Sequence, residues 1–260
     1  MTDKGFNDEA LILKVKNWQT ADKYAVCFSR GHGKISFLAY GARYARTNGG
    51  RLVQPFAVLD MNFFAGKKLD TLKSCELISY PLQFDLKQMA YAALIAEVTE
   101  NLTEEHQPQE EIYELLLAVR SVLTKHNPRL VALSYIVKLL FLTGILPNCQ
   151  SCVNCGKPAE GDAYFSVVQG GLVCNDCHGG EELPFGTEAQ EFMAQLLTLD
   201  FNNPQPFKVR GGALMELEKI LQRFIVFQTD KPLKSLGFLS QTGFLALTKQ
   251  QLFGIFSVKQ

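Results

Sequence analysis

Four cysteines carry the sharpest chemical pattern in this chain: Cys152-x-x-Cys155, eighteen residues, then Cys174-x-x-Cys177. Two residues between ligands let one tight turn aim both sulfurs at one edge of a tetrahedron, with Zn–S bonds of about 2.3 Å. Two such pairs at this separation are a zinc pattern. Gly156 follows the first pair, and Gly170-Gly171 turns the chain back before the second. Four thiolates fill a zinc shell and leave no position for water, so the expected role is structural, with one Zn(2+) per chain. Cys149 keeps an alternative open, because Cys149 and Cys152 have the same spacing, although that choice idles Cys155. His178, beside Cys177, is a weaker substitute ligand. Unbound thiols or transient disulfides are the bland reading, and two matched pairs argue against it. Cys27 and Cys75 lie in strand-like runs and read as packing residues.

A second group of residues is cationic. Lys14, Lys16, Lys23, Arg30, Lys34, Arg43, Arg46 and Arg51 crowd the N-terminal region. The 260 residues balance to zero net charge, but residues 1–80 hold twelve Lys and Arg against seven Asp and Glu. The segments 81–148 and 149–182 are acidic, and 183–260 is mildly basic. Between Tyr40 and Arg51, Arg43 and Arg46 alternate with Tyr40 and Tyr44 in a Gly-rich loop. Cations neutralise phosphates and aromatic rings stack on bases, so the loop suits a single strand of nucleic acid. An ordinary solvated face is the competing reading.

Other chemistry is missing. No G-x-x-x-x-G-K-[ST] phosphate loop, H-E-x-x-H or G-x-S-x-G occurs. His32, His106, His126 and His178 are scattered, and none begins H-x-E. No enzyme is expected. The N-terminus lacks the basic-then-apolar order of a signal peptide. Val131 to Leu146, the longest apolar stretch, is broken by Ser134 and Lys138 and is shorter than the roughly 20 residues that cross a bilayer. Five of seven cysteines bunched between 149 and 177 suit a reducing cytoplasm.

The elements that must position these groups follow from periodicity. Ala10 to Lys16, Tyr24 to Phe28, Lys34 to Tyr40, Val53 to Phe64 and Leu69 to Leu77 alternate with period two between Gly-rich turns. Leu11, Leu13 and Val15 are expected on one face of the first. Five antiparallel strands in about 70 residues suit a closed barrel, since closure removes edges. From residue 85 the period becomes helical: Leu86 to Leu102, Ile112 to Leu123, and Val131 to Leu146, with Pro108 and Pro128 in the breaks. Thr187-x-x-Gln190 reads as a capping box opening a helix with Phe192 and Leu196, and Leu217 to Phe224 marks another. The tail 238–260 is apolar and unassigned.

The order of parts resembles the RecO family of bacterial recombination mediators over nearly the whole chain. The resemblance rests on Ala10 to Lys16, Ser29-Arg-Gly-His-Gly-Lys34, Gly41-Ala-Arg43, Leu52-Val-Gln-Pro-Phe56, and Gly144-Ile-Leu-Pro147 leading to Cys152-x-x-Cys155-Gly156. Phe165-Ser166, Gly170-Gly171 and Cys174-x-x-Cys177 complete it. The family's first ligand lies five residues after that proline, which implies Cys152 and leaves Cys149 a bystander. The resemblance implies an α+β chain: an OB-fold barrel over 1–80, then a helical domain over 81–260 with a zinc finger at 147–182. It also implies a cytoplasmic, nucleoid-associated, non-enzymatic protein that binds single- and double-stranded DNA and anneals complementary strands. With RecR it would load recombinase on coated DNA, contacting the C-terminal tail of single-strand-binding protein. Two departures stand out. Gln19-Thr-Ala-Asp22 follows Trp18 where an acidic residue is common, and Arg43-Tyr-Ala-Arg46-Thr-Asn varies the usual basic-Ser loop. A zinc-ribbon interaction module without DNA binding is the main alternative, and eight barrel cations argue against it. A zinc hydrolase is disfavoured by the four-thiolate shell and the missing His–Glu pair.

Overall fold

A computed structural model describes residues 5–44, 48–80, 83–158, 161–205 and 208–245. The chain divides into two compact units, residues 1–89 with 102–124 and residues 90–101 with 125–260.

In the first unit, β1 (Gly5–Trp18), β2 (Asp22–Ser29), β3 (Gly33–Ala39), β4 (Val58–Phe64) and β5 (Asp70–Ser79) close into a barrel in the order β1-β2-β3-β5-β4. Every pairing is antiparallel except β3 with β5, which meet in parallel at Phe37↔Asp70 and Leu38↔Thr71. This is the expected five-stranded OB-type barrel. Ala10, Ile12, Ala25, Cys27, Ile35, Phe37, Leu59, Met61 and Phe63 fill its interior. The expected single face of Leu11, Leu13 and Val15 does not form. A bulge between Ile12 and Lys14 shifts the register by one residue. Ile12 and Val15 therefore pack against the interior, and the alternation changes parity between them.

Leu11, Val26 and Phe28 are fully buried although they are not among the interior side chains. Their cover is α3 (Glu110–Val122), which packs on β1 and β2 with Ile112, Tyr113, Leu116 and Val119 buried. Polar bonds fix it. Tyr113 Oη donates to Glu9 at 2.7 Å, and Arg120 donates to the Phe56 carbonyl and the Ser79 hydroxyl, both at 2.9 Å. A short helix, α1 (Asn48–Leu52), precedes β4, which starts at Val58 rather than at Val53 as expected. Pro55 has no N–H for a ladder, and Phe56 takes a φ of 64°, so residues 53–57 turn instead.

The remaining helices are α2 (Leu86–Leu102), α4 (Pro128–Leu142), α5 (Thr187–Thr198), α6 (Gly211–Thr229) and α7 (Lys234–Gln241). Asp85 and Gln88 form a reciprocal capping box at the start of α2. The capping box expected at Thr187 and Gln190 does not form, because the N-cap is Gly186. Thr187 is already helical and binds the Asp162 carboxylate, and Gln190 Nε2 donates to the Phe185 carbonyl at 2.7 Å. α4 is buried on nearly all sides, as its uniform apolar composition requires. Its Arg129, also buried, donates to Glu218 of α6 at 2.6 and 2.5 Å. Among the described residues no helix is long and apolar enough to cross a membrane. Of the unassigned tail, 238–241 forms the end of α7 and 246–260 lies outside the described residues.

Candidate metal centre and nucleic-acid surface

The cysteine pairs hang on a three-stranded sheet in the second unit. Its strands are β6 (Ala163–Ser166), β7 (Gly171–Val173) and β8 (Leu183–Phe185), in the order β7-β6-β8. The first pair sits in a loop that pairs back on itself. Cys152 N donates to the Lys157 carbonyl at 2.8 Å, and Gly156 N to the Cys152 carbonyl at 2.9 Å. Gly156 takes a φ of 72°, a left-handed turn that glycine adopts without penalty. Val153 N donates to the Leu172 carbonyl at 2.8 Å, which docks this loop on β7. The second pair leaves β7 directly and closes in a 3-10 turn, Asn175–Cys177.

The two loops converge. The sulfurs of Cys152, Cys155, Cys174 and Cys177 all lie within 4.8 Å of one another, with Cys155 and Cys174 3.8 Å apart. Metal–sulfur bonds of about 2.3 Å in a tetrahedron demand sulfur separations of about 3.8 Å, so the donor set fits a four-thiolate ion. Hydrogen bonds from the backbone amides, that of Cys174 foremost, lower the Cys152 thiol to about 6. Its neighbours Cys174 and Cys155 push Cys177 the other way, to about 12. Without a cation Cys177 therefore resists ionisation beside the other sulfurs. Cys149 stands outside the cluster, and burial raises its thiol to about 12. His178 is also engaged elsewhere: Nδ1 meets Glu182 at 2.9 Å, and its ring stacks on Tyr164 at 3.5 Å.

The seven described N-terminal cations fall into two sets. Arg30 pairs with Glu110 at 2.8 Å and Glu114 at 2.6 Å and lies over the Tyr113 ring. Lys34 is buried, with its ammonium on the Thr103 carbonyl. Lys23 donates to the carbonyls of Gly50 and Val53 at 3.0 and 3.1 Å, and burial lowers its pKa. These three tie the barrel to the segment 103–114 and to α1. The others lie toward solvent: Lys16, Arg43 and Arg51 are exposed and Lys14 is half-buried. Arg43 leans on the Gln19 and Thr20 carbonyls at 3.0 and 2.9 Å, which brings the loop after β3 onto the β1–β2 turn. Arg46 lies outside the described residues. Sequence spacing does not single out Trp18, although the alternation Lys14, Lys16, Trp18 along β1 carries the signal.

A small closed barrel with a cationic outer face, followed by helices that bear a four-thiol cluster, defines a narrow class of protein. Residues 1–81 match the family described as "Recombination protein O N terminal", and residues 83–237 match "Recombination protein O C terminal". The chain is 32% identical to the DNA repair protein RecO of Symbiobacterium thermophilum, over 90% of this chain and 96% of that protein. It is 31% identical to the DNA repair protein RecO of Alkaliphilus metalliredigens, over 86% and 93% respectively. The corresponding protein of Caldanaerobacter subterraneus is 30% identical over 88% and 95%. The chain belongs to the recombination protein O family.

Proposed function

We propose that this chain is a non-enzymatic mediator of DNA repair and homologous recombination. The observation that carries the reading is the family match across both the barrel and the helical region. In this reading Cys152, Cys155, Cys174 and Cys177 hold one structural Zn(2+), which supplies folding free energy to a segment with little core of its own. Lys14, Lys16, Arg43, Arg46 and Arg51 contact DNA phosphates, while Lys23, Arg30 and Lys34 hold the frame on which those cations stand.

Binding alone accounts for strand annealing. Two single strands repel through their phosphates, and cations on one scaffold lower that repulsion and raise the local strand concentration. The chain thus anneals complementary strands without ATP and binds both single- and double-stranded DNA. With RecR it helps to load recombinase onto coated single strands. The acidic, apolar tail of single-strand-binding protein docks in the helical region. What supports that is a cleft of about 210 Å³ lined by Leu94, Leu133, Ile136, Met215 and Ile225, with Lys219 also on its wall. An apolar groove with a nearby cation suits such a peptide end.

The test is a fluorescence annealing assay with complementary oligonucleotides, run with and without nucleotide and at two salt concentrations. Annealing is expected without ATP and lost at high salt. An absolute requirement for ATP, or no binding to DNA at low salt, would overturn the proposal.

A further inference from the structure

The bulge in β1 and the position of α3 together determine what the outer face of the barrel presents. Beyond the bulge, Val15 packs against the interior, so Lys14, Lys16 and Trp18 alternate on the outside. The ladder continues that face across the sheet. Lys14 pairs with Val26 and Lys16 with Tyr24, and Tyr24 in turn pairs with Leu38. Tyr40 follows β3 directly, in the turn after Ala39. Towards Phe28 this face is buried, on the strands that α3 covers. At the other end, Trp18 is 44% exposed and Tyr40 63% exposed. The rings of Trp18 and Tyr24 lie 6.3 Å apart, and Tyr24 Oη is held by the Ser36 hydroxyl at 3.2 Å.

Neighbouring aromatic rings exposed at the end of a strand face form an apolar surface that a flat ligand can cover. The chemistry of the rim says what that is. Lys16 stands between Trp18 and Lys14 on β1, and Arg43 is pinned to the turn that follows Trp18. Two carboxylates stand nearby and keep their charge, each held by hydrogen bonds that fix its direction: Asp22 accepts from Gly41 N at 2.8 Å, and Glu105 accepts from Ser36 N and Oγ. The face therefore offers π-surfaces flanked by cations. That suits a polyanion with flat, unpaired rings.

We infer that the outer face of β1–β3 beyond α3 is a base-stacking platform for single-stranded DNA, with Trp18 as its principal ring and Tyr24 and Tyr40 as its continuation. The inference rests on the reading that the chain binds DNA, and it adds the substrate form the face selects. A single strand can turn its bases onto the rings. A duplex keeps its bases stacked inside and meets the face through phosphates alone. Stacking is tolerant of sequence because every base has a π-face.

Trp18 is the only tryptophan in the chain, so its emission reports on the platform without labelling. The experiment titrates full-length protein with an unlabelled oligo-dT, an abasic oligonucleotide of equal length and a duplex, reading tryptophan emission. Affinity is measured in parallel by anisotropy of a labelled oligo-dT. Oligo-dT is expected to quench Trp18, while the abasic strand and the duplex leave it largely unchanged. Trp18→Ala should weaken oligo-dT binding roughly fivefold or more with the log–log salt slope preserved, and Trp18→Phe should restore most of the loss. Circular dichroism of both variants checks that the barrel is retained. Oligo-dT that binds the wild type without quenching Trp18, or with Trp18→Ala matching wild type, overturns the platform and leaves DNA binding standing. Equal quenching by the abasic strand also overturns it. No binding of any DNA to the wild type overturns the proposed function, and this inference with it.

Discussion

The barrel and the cysteine-bearing sheet are both small β structures, and they are held together by different means. The barrel closes on itself, buries aromatic and aliphatic side chains inside, and covers part of its outer face with α3. The three-stranded sheet has strands of four, three and three residues. Its buried apolar side chains are Ala163, Phe165, Leu172, Val173, Leu183 and Phe185, with Phe165 set edge-on against Phe224 of α6. Strands that short do not hold two flanking loops by burial alone. The four sulfurs converge where the apolar interior runs out. With the proposed zinc in place, closure by apolar packing and closure by a bound ion would coexist in one chain, and each would fail under a different insult.

Metal removal is the sharpest way to separate them. Cys174→Ser, or a strong chelator, should take the zinc content from one equivalent to near zero and melt the segment 147–185. Structural zinc in comparable small motifs contributes on the order of 10 kcal/mol. Elemental analysis with limited proteolysis reads this, and the barrel should remain folded. Full zinc occupancy in Cys174→Ser would reopen the role of Cys149. A cut in the barrel interior should do the converse. Phe37→Ala removes a fully buried ring and is expected to cost about 3–5 kcal/mol in denaturant unfolding while leaving zinc bound.

Acid should act on the cysteine cluster. The Cys152 thiol, lowered by backbone hydrogen bonds to about 6 from the ordinary 9.0, contributes stability that is lost as pH falls through 6, while Cys177, raised to about 12, works in the opposite sense above pH 9. Metal binding requires the thiolates, so zinc should leave as the solution is acidified through and below that range, as followed by a zinc-sensitive dye. The smallest effect on stability comes from the rim of the barrel. Replacing Arg43, Arg46 and Arg51 together with alanine should leave both regions folded. It should flatten the salt dependence of single-strand binding, by roughly 0.7 in the log–log slope for each phosphate that is no longer neutralised. An unchanged slope would place the phosphate-binding cations elsewhere, with the basic residues around Arg223, Lys231 and Lys234 the first place to look.

The parts legible in the sequence were those set by local spacing. Period-two runs marked all five barrel strands, helical spacing of apolar residues marked α2, α3 and α6, and a long apolar run marked α4. The two Cys-x-x-Cys pairs come together as four neighbouring sulfurs because each is a single turn, and a turn is specified by a handful of adjacent residues. What spacing did not show depends on residues distant in sequence. Charge alone made the eight cations look alike. Arg30 differs from Lys16 because Glu110 and Glu114 arrive from α3, eighty residues on. Lys34 differs because Thr103 does. The bulge was hidden for a related reason: Ala10-Leu-Ile-Leu13 is apolar on both faces, so alternation could not reveal where the parity changes. That same two-sided apolar run was the available hint that a helix covers the outside.

The interleaving of the two units has a consequence for how the protein is made. The ribosome delivers the barrel strands first, then α2, whose residues 90–101 belong to the second unit, and only afterwards α3. Leu11, Val26 and Phe28 therefore have no cover until residue 122 or so has left the exit tunnel. For that interval the nascent chain carries a closed barrel with a greasy outer wall, the kind of surface that draws chaperones and neighbouring nascent chains. A message truncated just after the barrel would leave that wall bare permanently. Its product should be recovered as aggregates rather than as a free barrel, whereas a product extending through residue 124 would carry its own cover.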